Sequence, residues 1–353
     1  MTSKRVITLL IMLVLGLALV LSGCGGQSSQ TDDVQAPPST EDPSAESEQS
    51  EEQGDEASSN IDFPTRPIEI IVSAGPGGGS DNFARAVAQE LADIYGVPVN
   101  VVNMPGANGA VARQELLNRP ADGYTLQVTV STFQTELAQG NVEQAEKLEG
   151  LVMFHEDTYG LHVNANSPFT DVESFIAEAE KRPGELRVGG TYPLTLDELM
   201  VRKLERETGV TLTYVPYDSA GQMHADLLGG HIEAIIDEFG PVTELVEAGQ
   251  VKSILAFTDQ KVEELADVPT SVEKGINITD GMTRGIIIHA DTPQEIKDNL
   301  QEAMQKVYEQ ERYKEFMRNN LLHLKEAFKL ADEYNALIEK QVAEYKEIYD
   351  SLQ

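Results

Sequence analysis

The run Gly75-Pro76-Gly77-Gly78-Gly79-Ser80 stands between a β-branched stretch, Ile68–Val72, and a stretch with helical spacing. Glycines at such a turn let backbone N–H groups approach a ligand without side-chain interference. The start of the following helix carries partial positive charge, so the ligand favoured there is an anion. A nucleotide fits poorly. No Lys follows the glycines as a phosphate-binding loop requires. The sixth position of a dinucleotide fingerprint is Ser80, and Asn103 stands near the place of its acid. A tight turn without a ligand is the plainer alternative. Asn103-Met104-Pro105-Gly106-Ala107-Asn108-Gly109 and Gly189-Gly190-Thr191-Tyr192-Pro193 are two more small-residue loops at strand ends. Each alone is commonly just a turn, but the three could converge on one cleft.

Other reactive groups give weaker signals. The His residues at 155, 162, 224, 231, 289 and 323 form no His-x-x-x-His pair, and Gly229-Gly230 separates His224 from His231. No metal site and no cofactor are expected. There is no Gly-x-Ser-x-Gly elbow. Asp237-Glu238 follows an apolar strand. With a His, these acids could serve a secreted α/β hydrolase or lyase; otherwise they cap a helix or line a cleft. Arg284, before the strand Ile286–Ile288, faces either the cleft or the surface.

These residues hang on alternating strands and helices. Asn82–Tyr95 puts Phe83, Val87, Leu91 and Ile94 on one face, with Ser80 or Asp81 as cap. Val97–Val102, a helix over Gly109–Asn118 and a strand over Tyr124–Val130 continue a β-α-β-α-β order that argues for a parallel sheet. A second block runs from a helix at Ser167–Lys181 through strands at Leu186–Gly189, Leu212–Pro216 and Ile232–Ile236, with helices at Leu196–Thr208 and Gly221–Leu228. Val242–Ala248 and Val251–Phe257 extend it. A strand at Gly285–His289 and helices over 293–353, broken near Phe328–Ala331, follow. Two α/β blocks with C-terminal helices suggest two lobes and a ligand cleft between them.

The ends and the charge set the compartment. Lys4 and Arg5 precede an apolar run, Val6–Leu21, that ends in Leu21-Ser22-Gly23-Cys24. This reads as a signal peptide, too short for a stable span of about 20 residues. Its end resembles a bacterial lipobox, which implies lipidation of Cys24, the sole cysteine. Residues 25–62 hold 11 acids and no base and read as a disordered tether. The net charge of the whole chain is -33, which repels phosphate backbones and disfavours nucleic acid. The expected location is extracytoplasmic, held at the cell membrane by the lipid.

Motifs spread along the chain resemble the tripartite tricarboxylate transporter receptors, extracytoplasmic solute-binding proteins of the TctC/Bug type. They are Arg66-Pro67-Ile68 with Pro76–Asp81, Asn103–Gly109, Pro120-Ala121-Asp122-Gly123-Tyr124-Thr125-Leu126, Val215-Pro216-Tyr217, Asp226–Glu233 and Asp267-Val268-Pro269-Thr270. The resemblance implies an α/β, two-lobed, periplasmic-binding-protein-like fold (type II, Venus flytrap), with residues 63–157 and 259–353 in one lobe and 158–258 in the other. It implies binding without catalysis: a small organic carboxylate, of the di- or tricarboxylate class, is captured and delivered to membrane permease subunits. A receptor feeding a sensor kinase differs only in its partner. The family holds carboxylates mainly by backbone amides, which map here to 74–81 and 189–193. The candidate ligand-binding set is Ala74, Gly75, Gly77, Gly78, Ser80, Asp81, Ser131, Gly189, Thr191, Tyr192 and Asp237. The chain departs from the family in having no Trp, with Thr283 before Arg284-Gly285, and in the bulk of Thr191, Tyr192 and Leu194.

Overall fold

The computed structural model describes residues Asp62–Ser351. Cys24, the signal peptide and the acidic tether lie outside the described residues.

The chain forms β1 (Ile68–Val72), α1 (Gly79–Tyr95), β2 (Val99–Asn103), α2 (Ala110–Asn118), β3 (Thr125–Val130), α3 (Thr132–Ala138), β4 (Leu148–Asp157) and β5 (Tyr159–Asn164). Then come α4 (Val172–Lys181), β6 (Arg187–Thr191), α5 (Leu196–Thr208), β7 (Thr213–Tyr217), α6 (Ala220–Leu228), β8 (Ala234–Glu238), α7 (Phe239–Glu247) and β9 (Val251–Ala256). The last part holds β10 (Met282–His289), α8 (Gln294–Glu309), α9 (Glu311–Asn319), β11 (Lys329–Leu330) and α10 (Ala331–Ser351).

Two sheets result, ordered β11-β4-β10-β3-β1-β2 and β7-β6-β8-β5-β9. The β1, β2 and β3 strands pair in parallel, as β-α-β connections require. The parallel pairing expected for this block is therefore present, but each sheet also carries antiparallel strands. The returning strand β10 runs antiparallel to both β3 and β4, and β5 runs antiparallel to β8 and β9. Only Thr158 separates β4 from β5, so one continuous extended stretch walks from the first sheet into the second. The chain returns between Ala256 and Met282.

Each sheet has its own core. Val72, Phe83, Val87, Leu91, Phe154 and Ile286 pack in the first; Leu161, Phe175, Val188, Leu199 and Ile236 pack in the second. Full burial of such side chains stabilises by about 1.5–3 kcal/mol each. Helix α10 serves both cores. Tyr334 and Ile338 pack against Met153 and Ile287 of the first sheet, whereas Tyr345 and Ile348 join the second core. A Cβ at Gly285 would lie 2.9 Å from the Tyr334 ring and 2.6 Å from the Val152 carbonyl, so the Arg284-Gly285 pair needs glycine to admit α10. Lys203 of α5, almost fully buried, pairs with Asp280 at 2.8 Å and with Glu344 of α10 at 2.9 Å.

Helix boundaries follow local chemistry. The α1 helix ends at Gly96, which is left-handed (φ 70°) and donates its N–H to the Ala92 carbonyl. The α4 helix starts at Val172 rather than Ser167, because Asp171 and Ser174 form a reciprocal capping box there. At α1 the expected side-chain cap is absent. Gly78 is the N-cap, without a capping side chain, and Asp81 turns back to accept the Gly77 N–H at 2.8 Å.

Candidate functional site: a cavity between the two sheets

A cavity of about 820 Å³ opens between the lobes. The first lobe contributes Gly77, Gly79, Asn82 and Phe83 from the start of α1, with Arg284 from β10. His155, Asp157 and Thr158 come from the crossing between the sheets. The second lobe contributes Glu238, Phe239, Gly240, Thr243 and Glu244 around the start of α7. Phe316 and the segment Asn319–Leu322 after α9 form a further wall.

The start of α1 is held open by a buried anchor. The Asp81 carboxylate accepts from the Gly77 amide, from Asn103 Nδ2 at 2.9 Å, and from Arg85 Nε at 2.9 Å and Nη2 at 3.0 Å. These bonds hold its carboxyl well below the usual range, the Arg85 contact most strongly. Asn103 also donates to the Ala74 carbonyl at 3.0 Å, which ties the second small-residue loop to the first. Gly77 has φ 83°, a conformation that favours glycine. The first amides of a helix have no intrahelical acceptor, and α1 has no side-chain cap. Its start therefore presents N–H donors and partial positive charge to the cavity.

Arg284 occupies the middle of the site. Nε and Nη2 donate to Asp157 Oδ2 at 3.1 and 2.7 Å, and Nη1 donates to Ser80 Oγ at 3.2 Å. Across the cavity, Glu238 Oε1 stands 3.9 Å from Nη2. Burial opposes the Arg284 charge, but Asp157 and Glu238 outweigh it and hold its pKa above the ordinary value. Burial, then the charges of Asp237 and Asp157, push the Glu238 carboxyl well above the carboxylate range. Burial also lowers the His155 pKa to about 4, so this imidazole is neutral near pH 7.

The candidate residues fall into two groups. Gly77 lines the cavity, Ser80 touches Arg284, and Ala74, Gly75 and Gly78 complete the same loop. Asp81 is that loop's internal tie. Ser131 is fully buried, accepts the Thr283 N–H at 2.9 Å and joins the start of α3 to β10. In the second lobe, Thr191 N and Oγ1 donate to Asp197 Oδ2 at 2.6 and 2.7 Å. Tyr192 has φ 53°, with half of its surface exposed. Gly189 packs against Ile232 and Met223. Asp237 is buried, accepts the Glu238 N–H and stands 2.6 Å from His224 Nε2, tying β8 to α6. Of the candidate set only Gly77 lines the cavity; Ala74, Gly75, Gly78, Ser80 and Asp81 are its neighbours in the same loop, and Ser131, Gly189, Thr191, Tyr192 and Asp237 are not among the lining residues either. The second lobe's contribution there comes from Glu238 and its successors.

The cavity residues His155, Asp157 and Thr158 escaped sequence reasoning, as did the wall at 316–322. A signal existed: the polar group His155-Glu156-Asp157-Thr158 interrupts an apolar stretch from Leu151 to Val163. Among the described residues, no group of three or more His, Cys, Asp and Glu side chains could hold a metal ion. No helix among them is long and apolar enough to cross a membrane.

A sequence profile described as tripartite tricarboxylate transporter family receptor matches residues 83–353. A UPF0065 protein from the gbd 5′ region of Cupriavidus necator is 29% identical over 72% of this chain and 78% of its own. BugT of Bordetella pertussis is 30% identical over 60% of this chain and 67% of its own. The crystal structure of a TctC solute-binding protein from Polaromonas, without ligand, superposes with a TM-score of 0.72 at 28% identity, covering 82% of this chain and 99% of that one. A Rhodopseudomonas palustris protein with adipate shares the fold at TM-score 0.70 and 23% identity, covering 82% of this chain and 98% of that one.

Proposed function

The chain belongs to the tripartite tricarboxylate transporter receptor family, and from that membership we propose that it captures a small organic carboxylate between its lobes and hands it to membrane permease subunits. The observation that supports this most is the make-up of the cavity: residues of both sheets line one space, with the uncapped start of α1 and Arg284 at its centre. Helix amides and a guanidinium are the groups that hold a carboxylate. Phe83, Phe239, Phe316 and Leu322 offer apolar wall for a carbon skeleton.

The family is one of transport receptors. Binding without bond-making is the chemistry proposed, with lobe closure favoured by whatever ligand contacts both sides. Residues 63–157 and 259–353 form one lobe and 158–258 the other in this reading, with the end of α10 reaching across. We further propose an extracytoplasmic site of action, with lipid on Cys24 and residues 25–62 as tether. The experiment that tests the reading is calorimetric titration of the protein with a panel of mono-, di- and tricarboxylates. Saturable one-to-one binding, with the ligand recovered unchanged, supports it. Chemical conversion of the ligand overturns it, and so does a panel in which nothing binds.

A further inference from the structure

The floor of the cavity holds buried polar atoms that no protein group satisfies. Thr158 Oγ1 has no hydrogen-bond partner, and His155 Nε2 and Asp157 Oδ1 have none beyond their own approach to 3.4 Å, although all three residues line the space and are more than nine-tenths buried. The two Arg284 bonds to Asp157 both go to Oδ2, which leaves Oδ1 with only the His155 imidazole beside it, at 3.4 Å. A buried polar atom left unmade costs about 1–3 kcal/mol, so such atoms mark a place where an occupant belongs. Glu238 faces the same space from the opposite lobe, and its nearest cation is Arg284 at 3.9 Å.

The character of these groups defines the occupant. Asp157 Oδ1 and the Glu238 carboxylate accept hydrogen bonds, and Thr158 Oγ1 can. The ionisable groups lining the cavity are the carboxyls of Asp157, Glu238 and Glu244 against the single guanidinium of Arg284, and Glu238 is held toward its neutral form as long as no further cation stands beside it. The start of α1 adds only about half a positive charge. A dicarboxylate would bring further negative charge into that field. A molecule with a carboxylate at one end and an ammonium at the other matches it at both.

We infer that the preferred ligand is an amino carboxylate, its carboxylate at the start of α1 and Arg284, its ammonium between Asp157 Oδ1, Glu238 and Thr158 Oγ1. This deepens the carboxylate-receptor reading and rests on it. Binding then brings a cation to Glu238, which compensates a carboxyl that burial and its acidic neighbours push toward the neutral form. It also joins Asp157 of the first lobe to Thr158 and Glu238 of the second through one ligand group, which favours the closed arrangement.

Matched ligand pairs test this by calorimetry: malate against aspartate, succinate against γ-aminobutyrate, glutarate against δ-aminovalerate, and adipate against ε-aminocaproate. Within at least one pair the wild-type protein should prefer the amine by about tenfold or more. Glu238→Gln should remove most of that preference, and Thr158→Val should reduce it. Thermal melts of both variants check that each is folded, and the wild-type preference stands as evidence by itself. Dicarboxylates binding as well as or better than their amine partners in every pair would overturn the inference and leave the carboxylate reading intact. An amine preference that neither variant alters would also overturn it. A protein that binds no member of any pair would overturn both.

Discussion

Arg284 donates twice to one oxygen of Asp157, from Nε at 3.1 Å and from Nη2 at 2.7 Å, and so holds the end of β4 against β10 at the point where the chain leaves the first sheet for the second. The same guanidinium reaches Ser80 at the start of α1 and approaches Glu238 across the cavity. One side chain thus links the glycine turn, the crossing strand and the opposite lobe.

Replacing it should cost both stability and binding. Arg284→Met leaves Asp157 buried beside no cation. Breaking one half of a buried ion pair costs about 3–5 kcal/mol. Urea unfolding should show a loss of that order, and carboxylate affinity should fall more than about tenfold, equivalent to 1.4 kcal/mol. Unchanged affinity in a folded variant would remove Arg284 from the site.

The glycine turn makes a separable prediction. A Cβ on Gly78 would meet only the Gly75 carbonyl at 3.8 Å, and its φ of -79° suits any residue. Gly78→Val should therefore leave the melting temperature within about one degree, since surface changes are usually within about 0.5 kcal/mol. Gly78 sits between Gly77 and Gly79, which line the cavity, so with a carboxylate held by the first amides of α1, as proposed, titration should show affinity lost. At Gly77, where φ is 83°, valine should instead lower the melting temperature as well.

Burial of His162 predicts acid sensitivity. Nε2 lies 3.1 Å from the Asp237 carbonyl, so it carries the proton and donates, and Nδ1 accepts from Ser253 at 2.8 Å. Burial lowers the folded-state pKa to about 4 from 6.5. Between those values the unfolded chain binds the extra proton, so stability falls as pH drops from about 6.5 toward 4 and is flat above. The full effect is on the order of 3 kcal/mol, and His155 acts in the same direction. Unfolding free energies measured from pH 7 to pH 4.5 should show this slope, and His162→Gln should flatten it. An identical slope in wild type and variant would contradict the assignment.

The anchoring reading concerns residues outside those described. Cys24→Ser should abolish membrane attachment and lipid labelling. A variant still processed and membrane-held like the wild type would refute it.

Much of this was legible in the sequence because the signals were local. Glycines at 75–79 must follow a strand and start a helix, and the spacing of Phe83, Val87 and Leu91 has one interpretation. The two successive α/β blocks suggested two lobes, and the family motifs added the type of two-lobed fold. What escaped depended on chain returns that no local pattern records. The antiparallel placement of β10 is set by the long excursion through the second lobe. The apolar stretch 148–164 shows no alternation, because both faces of β4 and β5 are covered. Asp237 and Glu238 are adjacent in sequence, yet strand alternation sends one to His224 and the other to the cavity. Sequence reasoning favoured the first as a ligand contact, and the cavity is lined by the second.

The central claim is that a carboxylate binds at the start of α1. Calorimetric titration of the best-binding carboxylate against its primary-amide analogue, with wild-type and Gly78→Val proteins in parallel, tests it most directly. Charge-assisted hydrogen bonds are worth about 1.5–3 kcal/mol each. The account predicts that the amide binds wild type more than about tenfold weaker and that the carboxylate loses affinity of at least that order to Gly78→Val. Equal affinity for amide and carboxylate, together with undiminished binding to Gly78→Val, would contradict it.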